Sequence, residues 1–332
     1  MIGDEAGPPA LGVCFGWNRL AFEDLLALAR HAERRGFRAV YVDGDVSMMP
    51  GRGDGDVLEG WTATVALLAR TERIQVGSIR LVHHWASAAR LAQAVATVER
   101  LFPGRLRVLV SVGAHRRSDE RFGLPAPPAG ARVTWLDEAL EAARALWRGE
   151  DVTRAGRHVR LEAARVRPVP PAGRPWLEVG ARRPRMLALA ARHADGWDVN
   201  LPPVRHRVMK AAAEADAACR RVGRDPATLR RSMWILTRPH GEAGDPALAR
   251  AFRRWCPWFD AVPDEELDEA VVAGPPDRAR ARLAALAREL GLALPVADLT
   301  GLDPPEARRA LDALAPAGAF AESDVDSRGW RP

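Results

Sequence analysis

The sequence predicts an α/β fold: a single (β/α)8 barrel with an insertion between strands 7 and 8 and a glycine-rich loop after strand 2. Three observations predict it. Short β-branched or apolar runs recur eight times, stretches with helical apolar spacing lie between them, and the units fill nearly all of the 332 residues. A doubly wound open sheet uses the same units and is the rival architecture. The barrel is preferred because it accounts for almost the whole chain as one domain.

The first run is Leu11 to Phe15. Behind it, Phe22 to Arg35 carries Leu25, Leu26, Leu28, Ala29 and Ala32 at helical spacing, and Gly36 stands where a helix-terminating glycine belongs. Ala39 to Val42 is the second run, with its helix through Trp61 to Leu68. Between these two, Ser47 to Gly60 holds Gly51, Gly53 and Gly55, too much glycine for an element, and reads as an active-site loop. The third unit is Ile74 to Leu81 with Ala86 to Leu101, and the fourth is Leu106 to Val112 with Trp135 to Trp147. Trp176 to Val179 precedes the helix Met186 to Arg192, and Trp197 to Val199 precedes Arg205 to Val222. Met233 to Thr237 is the seventh run. The extra sequence His240 to Ala273 follows it, and helices near Ala247 to Trp255 and Arg278 to Leu290 precede the eighth run. Val296 to Leu299 is the eighth, and Glu306 to Leu314 closes the series. The expected domain limits are an N-terminal tail (1–10), the barrel (11–315) and a flexible C-terminal tail (316–332).

Composition bounds the class without giving a function. Hydrophobic residues make up 47% and charged residues 28%, the balance of a folded globular protein. No run approaches the roughly 18 apolar residues of a membrane span. The start of the chain lacks a basic, apolar leader, and Cys14, Cys219 and Cys256 make neither a disulfide framework nor a CxxC knuckle. A cytoplasmic protein is expected, with no membrane. Net charge is +6 and the isoelectric point about 10.3. Yet Lys210 is the only lysine, and the arginines are interleaved with acids, as at Arg278, Arg280, Arg282, Arg288 and Glu289. That is the pattern of solvated helix surfaces, so no nucleic-acid partner is expected.

In a barrel the chemistry sits in the loops after the strand C-termini. Those places hold Trp17 and Asn18, then Asp43 and Asp45, then His83, His84 and Trp85. After strand four come Gly113, Ala114, His115, Arg116 and Arg117; after strand five come Gly180, Ala181, Arg182 and Arg183. Histidines, carboxylates and arginines together suit acid–base work beside an anion. Taken singly, His83 and His84 also read as strand caps, His115 as part of a solvated loop, and the Asp43–Asp45 pair as turn formers. Gly180 to Arg183 leads into a helix with Pro184 in its first turn, so two guanidinium groups and backbone N–H groups could meet a phosphate there. No phosphate loop, calcium hand, HExxH or Gly-x-Ser-x-Gly elbow is present, and Arg52-Gly53-Asp54 is a chance tripeptide.

The series also carries wording of a known family. Ala32-Glu33-Arg34-Arg35-Gly36-Phe37-Arg38-Ala39-Val40-Tyr41 resembles the passage AEelGFdsvw of the luciferase-like monooxygenase superfamily. Thr71 to Ser78 resembles its T.rI.lGt strand, and Leu91 to Val98 with Pro103-Gly104-Arg105-Leu106 resembles lAk..atld.ls.GRl. Leu136 to Leu140 through Leu146-Trp147-Arg148-Gly149, Gly156-Arg157-His158 and His193-Ala194-Asp195-Gly196-Trp197 resemble the later leEal.vlr.LW.G, G.hy and haDGw passages. Gly223 to Pro226 and Gly274 to Asp277 match GRDP and GtPe turns, and all the pieces run in order over about 11–315.

The resemblance implies an oxidoreductase or monooxygenase that binds coenzyme F420 or FMN, with F420 slightly favoured. It implies a strained peptide at the end of strand three, matching Ser78-Ile79, to back the flavin ring; a non-proline cis bond there would cost about 3 kcal/mol. It further implies cofactor contacts at Gly113 and Ala114, and a phosphate loop at Gly180 and Ala181, extended here by Arg182 and Arg183. Two departures stand out. Asp43-Gly44-Asp45 lacks the histidine of the Asp-His pair common in F420 members, and His115 replaces an expected glycine. Asp43, His84 and His115 are therefore the expected acid–base residues. The leading reading is hydride transfer to or from a small organic substrate. The alternatives are an FMN-dependent monooxygenase fed by a separate flavin reductase, and a barrel that has lost redox chemistry. A homodimer is expected.

Overall fold

The structure, a computed structural model, describes residues 10–15, 20–43, 57–81, 86–113, 116–171, 175–242, 245–255 and 262–316. The chain begins with β1 (Gly12–Cys14), α1 (Phe22–Arg34), β2 (Ala39–Asp43), α2 (Gly60–Arg70), β3 (Gln75–Ile79), α3 (Ala88–Leu101) and β4 (Leu106–Val110). Then come α4 (Arg116–Arg121), α5 (Ala129–Trp147), a hairpin of β5 (Val152–Ala155) and β6 (Arg160–Ala164), β7 (Trp176–Ala181), α6 (Pro184–His193), β8 (Gly196–Val199) and α7 (Arg205–Arg221). The last part is β9 (Arg230–Pro239), α8 (Pro246–Trp255), α9 (Asp264–Ala270), β10 (Val272–Gly274), α10 (Pro276–Leu290), β11 (Leu294–Asp298) and α11 (Pro304–Leu314).

Eight of these strands are parallel neighbours in the order β9, β11, β1, β2, β3, β4, β7, β8, and β8 pairs back onto β9 to close the barrel. The insertion after the seventh barrel strand, β9, holds α8, α9 and β10, and β10 pairs in parallel beside the end of β9. Within each barrel strand the side chains alternate. Val13, Val40, Val76, Val108, Leu177, Val179, Trp197 and Ile235 face the helices and join the main core. Cys14, Tyr41, Ile79, Leu109, Leu294 and Val296 face the lumen as a second apolar cluster. Two cores on opposite faces explain why the strands read as continuous apolar runs.

Local signals set the ends of the elements. Gly36 takes φ +80 just past α1, and Gly291 takes φ +64 as the left-handed cap of α10. Asp303 and Glu306 form a reciprocal capping box on α11. Strand three is shorter than the apolar run suggests. It stops at Ile79 because Arg80 turns the chain with φ +56. The one cis peptide bond among the described residues is Arg167–Pro168, so the Ser78–Ile79 peptide is trans and the strained residue is Arg80. The Ser78 hydroxyl faces α2, where it donates to the Gly60 carbonyl at 2.9 Å.

The hairpin β5–β6, α4, α9 and β10 do not stand out in the sequence. Residues of β5 and β6 alternate only between half-buried and exposed. Glu138 holds the hairpin turn by accepting from the N–H groups of Arg157, His158 and Val159 at 3.1, 2.8 and 2.9 Å.

Lumen space depends on Gly77. A Cβ there would lie 2.7 Å from the Arg107 carbonyl oxygen and 3.2 Å from the Tyr41 ring. The nearest obstacle is backbone, so β3 and β4 would have to separate. Gly77→Ala is expected to reduce stability by about 1–3 kcal/mol, read as the midpoint of urea unfolding. An unchanged midpoint would mean the two strands part freely.

Candidate active site

The lumen is filled by charge as well as by aliphatic groups. Near the N-terminal ends of the strands, Arg107 on β4 and Glu178 on β7 form a buried ion pair. Arg107 Nε donates to the Tyr41 hydroxyl at 2.5 Å, and that hydroxyl donates to Glu178 Oε2 at 2.9 Å. Gln75 accepts from Arg107 Nη1 at 3.0 Å and Trp176 Nε1 donates to Glu178 Oε1 at 3.0 Å. Burial opposes the Arg107 charge, but Glu178 and Tyr41 outweigh it and hold the guanidinium protonated. Burial pushes the Tyr41 phenol well above its ordinary range.

A second unit sits one layer higher, at the mouth. Arg80 leaves the end of β3 and crosses to Asp198 on β8. Its Nε and Nη2 reach Asp198 Oδ2 at 3.1 and 2.9 Å, and Nη2 also donates to Asn200 Oδ1 at 2.9 Å. The guanidinium lies 4.1 Å from the centroid of the Trp234 ring, a cation–π contact. Gly180 makes the crossing possible, since a Cβ there would come 2.8 Å from Arg80 Nε and 3.1 Å from Asp198 Oδ2. Asp198 is 1% exposed, and its Oδ1 has no hydrogen-bond partner among the described residues. Burial, aided by repulsion from Glu178 and opposed by Arg80, pushes this carboxyl up to about 6.

Beside this unit, β7 runs into α6. Arg183 is the residue before that helix and offers no side-chain oxygen to the first-turn amides, and Pro184 stands at its start. Burial lowers the Arg182 guanidinium, and the positive charges of Arg183 and Arg80 lower it further. Three arginines thus share one corner of the mouth with a helix N-terminus. That donor set suits the phosphate of an anionic ring cofactor. Ile79, the last inward residue of β3, gives the neighbouring lumen wall an apolar surface. Gly113, at φ +71 after β4, is held through its carbonyl by Arg132 Nη1 at 3.2 Å.

The expected site residues divide into three groups. Ile79, Gly113, Gly180, Arg182 and Arg183 lie at the C-terminal ends of their strands, as does the backbone of Asp43, which pairs with Ile79. The side chains of Ser78 and Ala181 face the helices instead of the lumen. His84, Ala114 and His115 lie outside the described residues, as do His83 and residues 47–56 of the glycine-rich loop Ser47–Gly60. Sequence reasoning missed Arg80, Asp198, Asn200 and Trp234. Their signal was a charge set inside an apolar strand run, as in Gly196-Trp197-Asp198-Val199. Among the described residues no group of His, Cys, Asp and Glu could hold a metal ion, and no helix is long and apolar enough to cross a membrane.

Comparison with known proteins agrees with this architecture. An F420-dependent glucose-6-phosphate dehydrogenase of Nakamurella multipartita is 31% identical over 214 residues, 58% of this chain and 60% of that protein. An F420-dependent hydroxymycolic acid dehydrogenase of Mycobacterium tuberculosis is 28% identical over 259 residues, 76% of this chain and 68% of that protein. The chain therefore spans about 60% of the length of the first relative and about two thirds of the second. Among solved structures, an F420-dependent secondary alcohol dehydrogenase in complex with an F420–acetone adduct superposes with a TM-score of 0.78 at 18% identity. It covers 92% of this chain and 99% of that one, a likeness of fold. The luciferase-like monooxygenase pattern itself matches residues 10–294, from just before the first barrel strand to the start of the last, and the chain belongs to that family.

Proposed function

We propose that the protein is an oxidoreductase that uses F420, or else FMN, to move a hydride to or from a small organic substrate at the C-terminal mouth of the barrel. The observation that carries this reading is the cluster of Arg80, Arg182 and Arg183 around the start of α6. F420 is favoured over FMN because the named relatives are F420-dependent dehydrogenases. Such a coenzyme, when bound, supplies the hydride chemistry; the chain supplies binding, orientation and proton transfer. Arg182, Arg183 and the first-turn amides of α6 bind the phosphate. Ile79 and Gly113 form the wall that orients the ring, with the left-handed φ of Gly113 allowing backbone to come close. Asp43, His84 and His115, by their places after β2, β3 and β4, are the acid–base residues. The substrate docks above the mouth.

Titration of the purified protein with F420 and with FMN is expected to quench the fluorescence of one of them. No change with either would overturn the reading and leave a barrel without redox chemistry. Rapid oxygen consumption with FMN supplied by a flavin reductase would replace the dehydrogenase with a two-component monooxygenase. Replacing Arg182→Ala together with Arg183→Ala is expected to weaken cofactor binding at least tenfold, about 1.4 kcal/mol. Equal affinity of the double variant and the parent would remove the phosphate site from this loop.

A further inference from the structure

The Arg80–Asp198 unit has three features that a purely structural ion pair does not need. One carboxylate oxygen is bonded twice by Arg80, and the other is buried with no partner among the described residues. The guanidinium uses Nε and Nη2 on Asp198 and Asn200, while Nη1 makes no hydrogen bond to the described residues. Asp198 is also the group that directly balances Arg80, in a corner where Arg182 and Arg183 add positive charge. Among the described residues the charged groups that face Asp198 are Arg80 from the end of β3 and Glu178 from β7. Its β9 neighbours, Ser232 in register and Trp234 under the guanidinium, carry no charge.

We propose that Arg80 and Asp198 act as one unit that takes up a proton when an anionic cofactor docks at the mouth of the barrel. The inference rests on the cofactor reading above. A negative group brought to the open edge of Arg80 replaces Asp198 as its counter-charge. Two negative charges then flank one guanidinium in a site of low dielectric, beside the further negative charge of Glu178. The proton enters from solvent onto Oδ1, because Oδ2 stays in the fork of Arg80, and the carboxylate becomes a neutral carboxylic acid. No other bond is made or broken. Burial already sets the carboxyl at about 6, so a small further push fills it near neutral pH. Arg80, no longer neutralised, is then available to the negative charge of the ligand. By linkage, proton and cofactor bind cooperatively.

The test is calorimetric titration of the full chain with FMN and with F420, in two buffers of different ionisation enthalpy, across about pH 6 to pH 8. The wild type is expected to take up a large fraction of one proton per cofactor near neutrality. Its affinity should fall by up to tenfold per pH unit on the alkaline side of the apparent titration. Asp198→Asn is expected to lose this uptake and to bind with a flatter pH profile. Arg80→Gln is expected to lose the uptake and at least tenfold in affinity, and Arg80→Lys to recover part of both. A folded Asp198→Asn protein with the same proton count as the wild type overturns the inference and leaves the cofactor reading standing. So does a wild type that binds with no proton exchange, which needs no variant to fold. A wild type that binds neither compound overturns both.

Discussion

The barrel is organised around charge that is largely withdrawn from water. Arg107 and Glu178, and above them Arg80 and Asp198, put two positive and two negative side chains inside a closed ring of strands. Removing one member of such a pair costs about 3–5 kcal/mol, because the partner is left buried and uncompensated. The pairs therefore act as constraints on which strands may be neighbours. Tyr41 comes from β2, Gln75 from β3, Arg107 from β4, Trp176 and Glu178 from β7, and their hydrogen bonds close only when those strands hold the observed register. Glycine supplies the volume. A Cβ on Gly196 would meet Glu178 Cγ at 2.9 Å, just as Gly77 makes way for Arg107 and Gly180 for Arg80. Long polar side chains and missing side chains alternate around the lumen where aliphatic layers would otherwise pack.

What the sequence made legible follows from this. Outward-facing positions are aliphatic and helices are amphipathic, so periodicity places all eight barrel strands and the large helices close to where they lie. Five small elements escaped because they are polar, half exposed or very short. The α4 segment Arg116–Arg121 and the α9 segment Asp264–Ala270 are nearly all polar. The hairpin is half exposed, and β10 is three residues long. The site was legible at the level of loops, since Arg182 and Arg183 adjoin a recognisable strand–helix turn. It was not legible at the level of the lumen. Arg80 sits within the third run, Ile74 to Leu81, which Gln75, Gly77 and Ser78 already interrupt, so one more polar residue does not reveal that its backbone leaves the strand. Only the pairing of β2 with β3, ending at Asp43 and Ile79, shows that Arg80 is the first residue past β3, before Leu81 bridges back to Val110 of β4.

The basic composition also changes meaning. Interleaved acids suggested solvated helix faces, and many arginines do lie there. Others cap carbonyl groups that the end of a helix leaves without partners. Arg105 donates to the carbonyls of Leu68, Thr71 and Ile74 at 3.1, 2.9 and 3.1 Å, joining α2 to β3. Arg224 donates to the carbonyls of Ala191 and Ala194 at 3.1 and 2.6 Å, at the end of α6. Arg280 reaches the Ala313 carbonyl on α11, and Arg144 bonds both the His193 carbonyl and Asp195. A fork of five donors can serve several carbonyls at once where a lysine ammonium, as a compact point charge, cannot match the geometry. Part of the basic charge thus lies on solvated helix faces, and part is committed to carbonyl groups within the fold.

What remains for a ligand is then a question of which arginine is not fully used. Arg107 is held by Glu178, Tyr41 and Gln75 and lies deep in the lumen. Arg238, at the end of β9, is committed to the carbonyls of Thr237, Asp298 and Thr300. Arg80 differs in kind, because its balancing charge can itself be neutralised by one proton. An ion pair whose acid titrates near neutrality contributes less stability to the free protein than one held far from its titration range, since burial takes back much of what the Coulombic attraction gives. Among the described residues no further contact offsets it: Asp198 Oδ1 stays unpartnered, and Gly180 forgoes a side chain to keep the crossing open. A strained backbone at Arg80 adds to the same cost. Three separate sacrifices converge on one guanidinium at the mouth of the barrel, and an anion arriving there is the event that would repay them together.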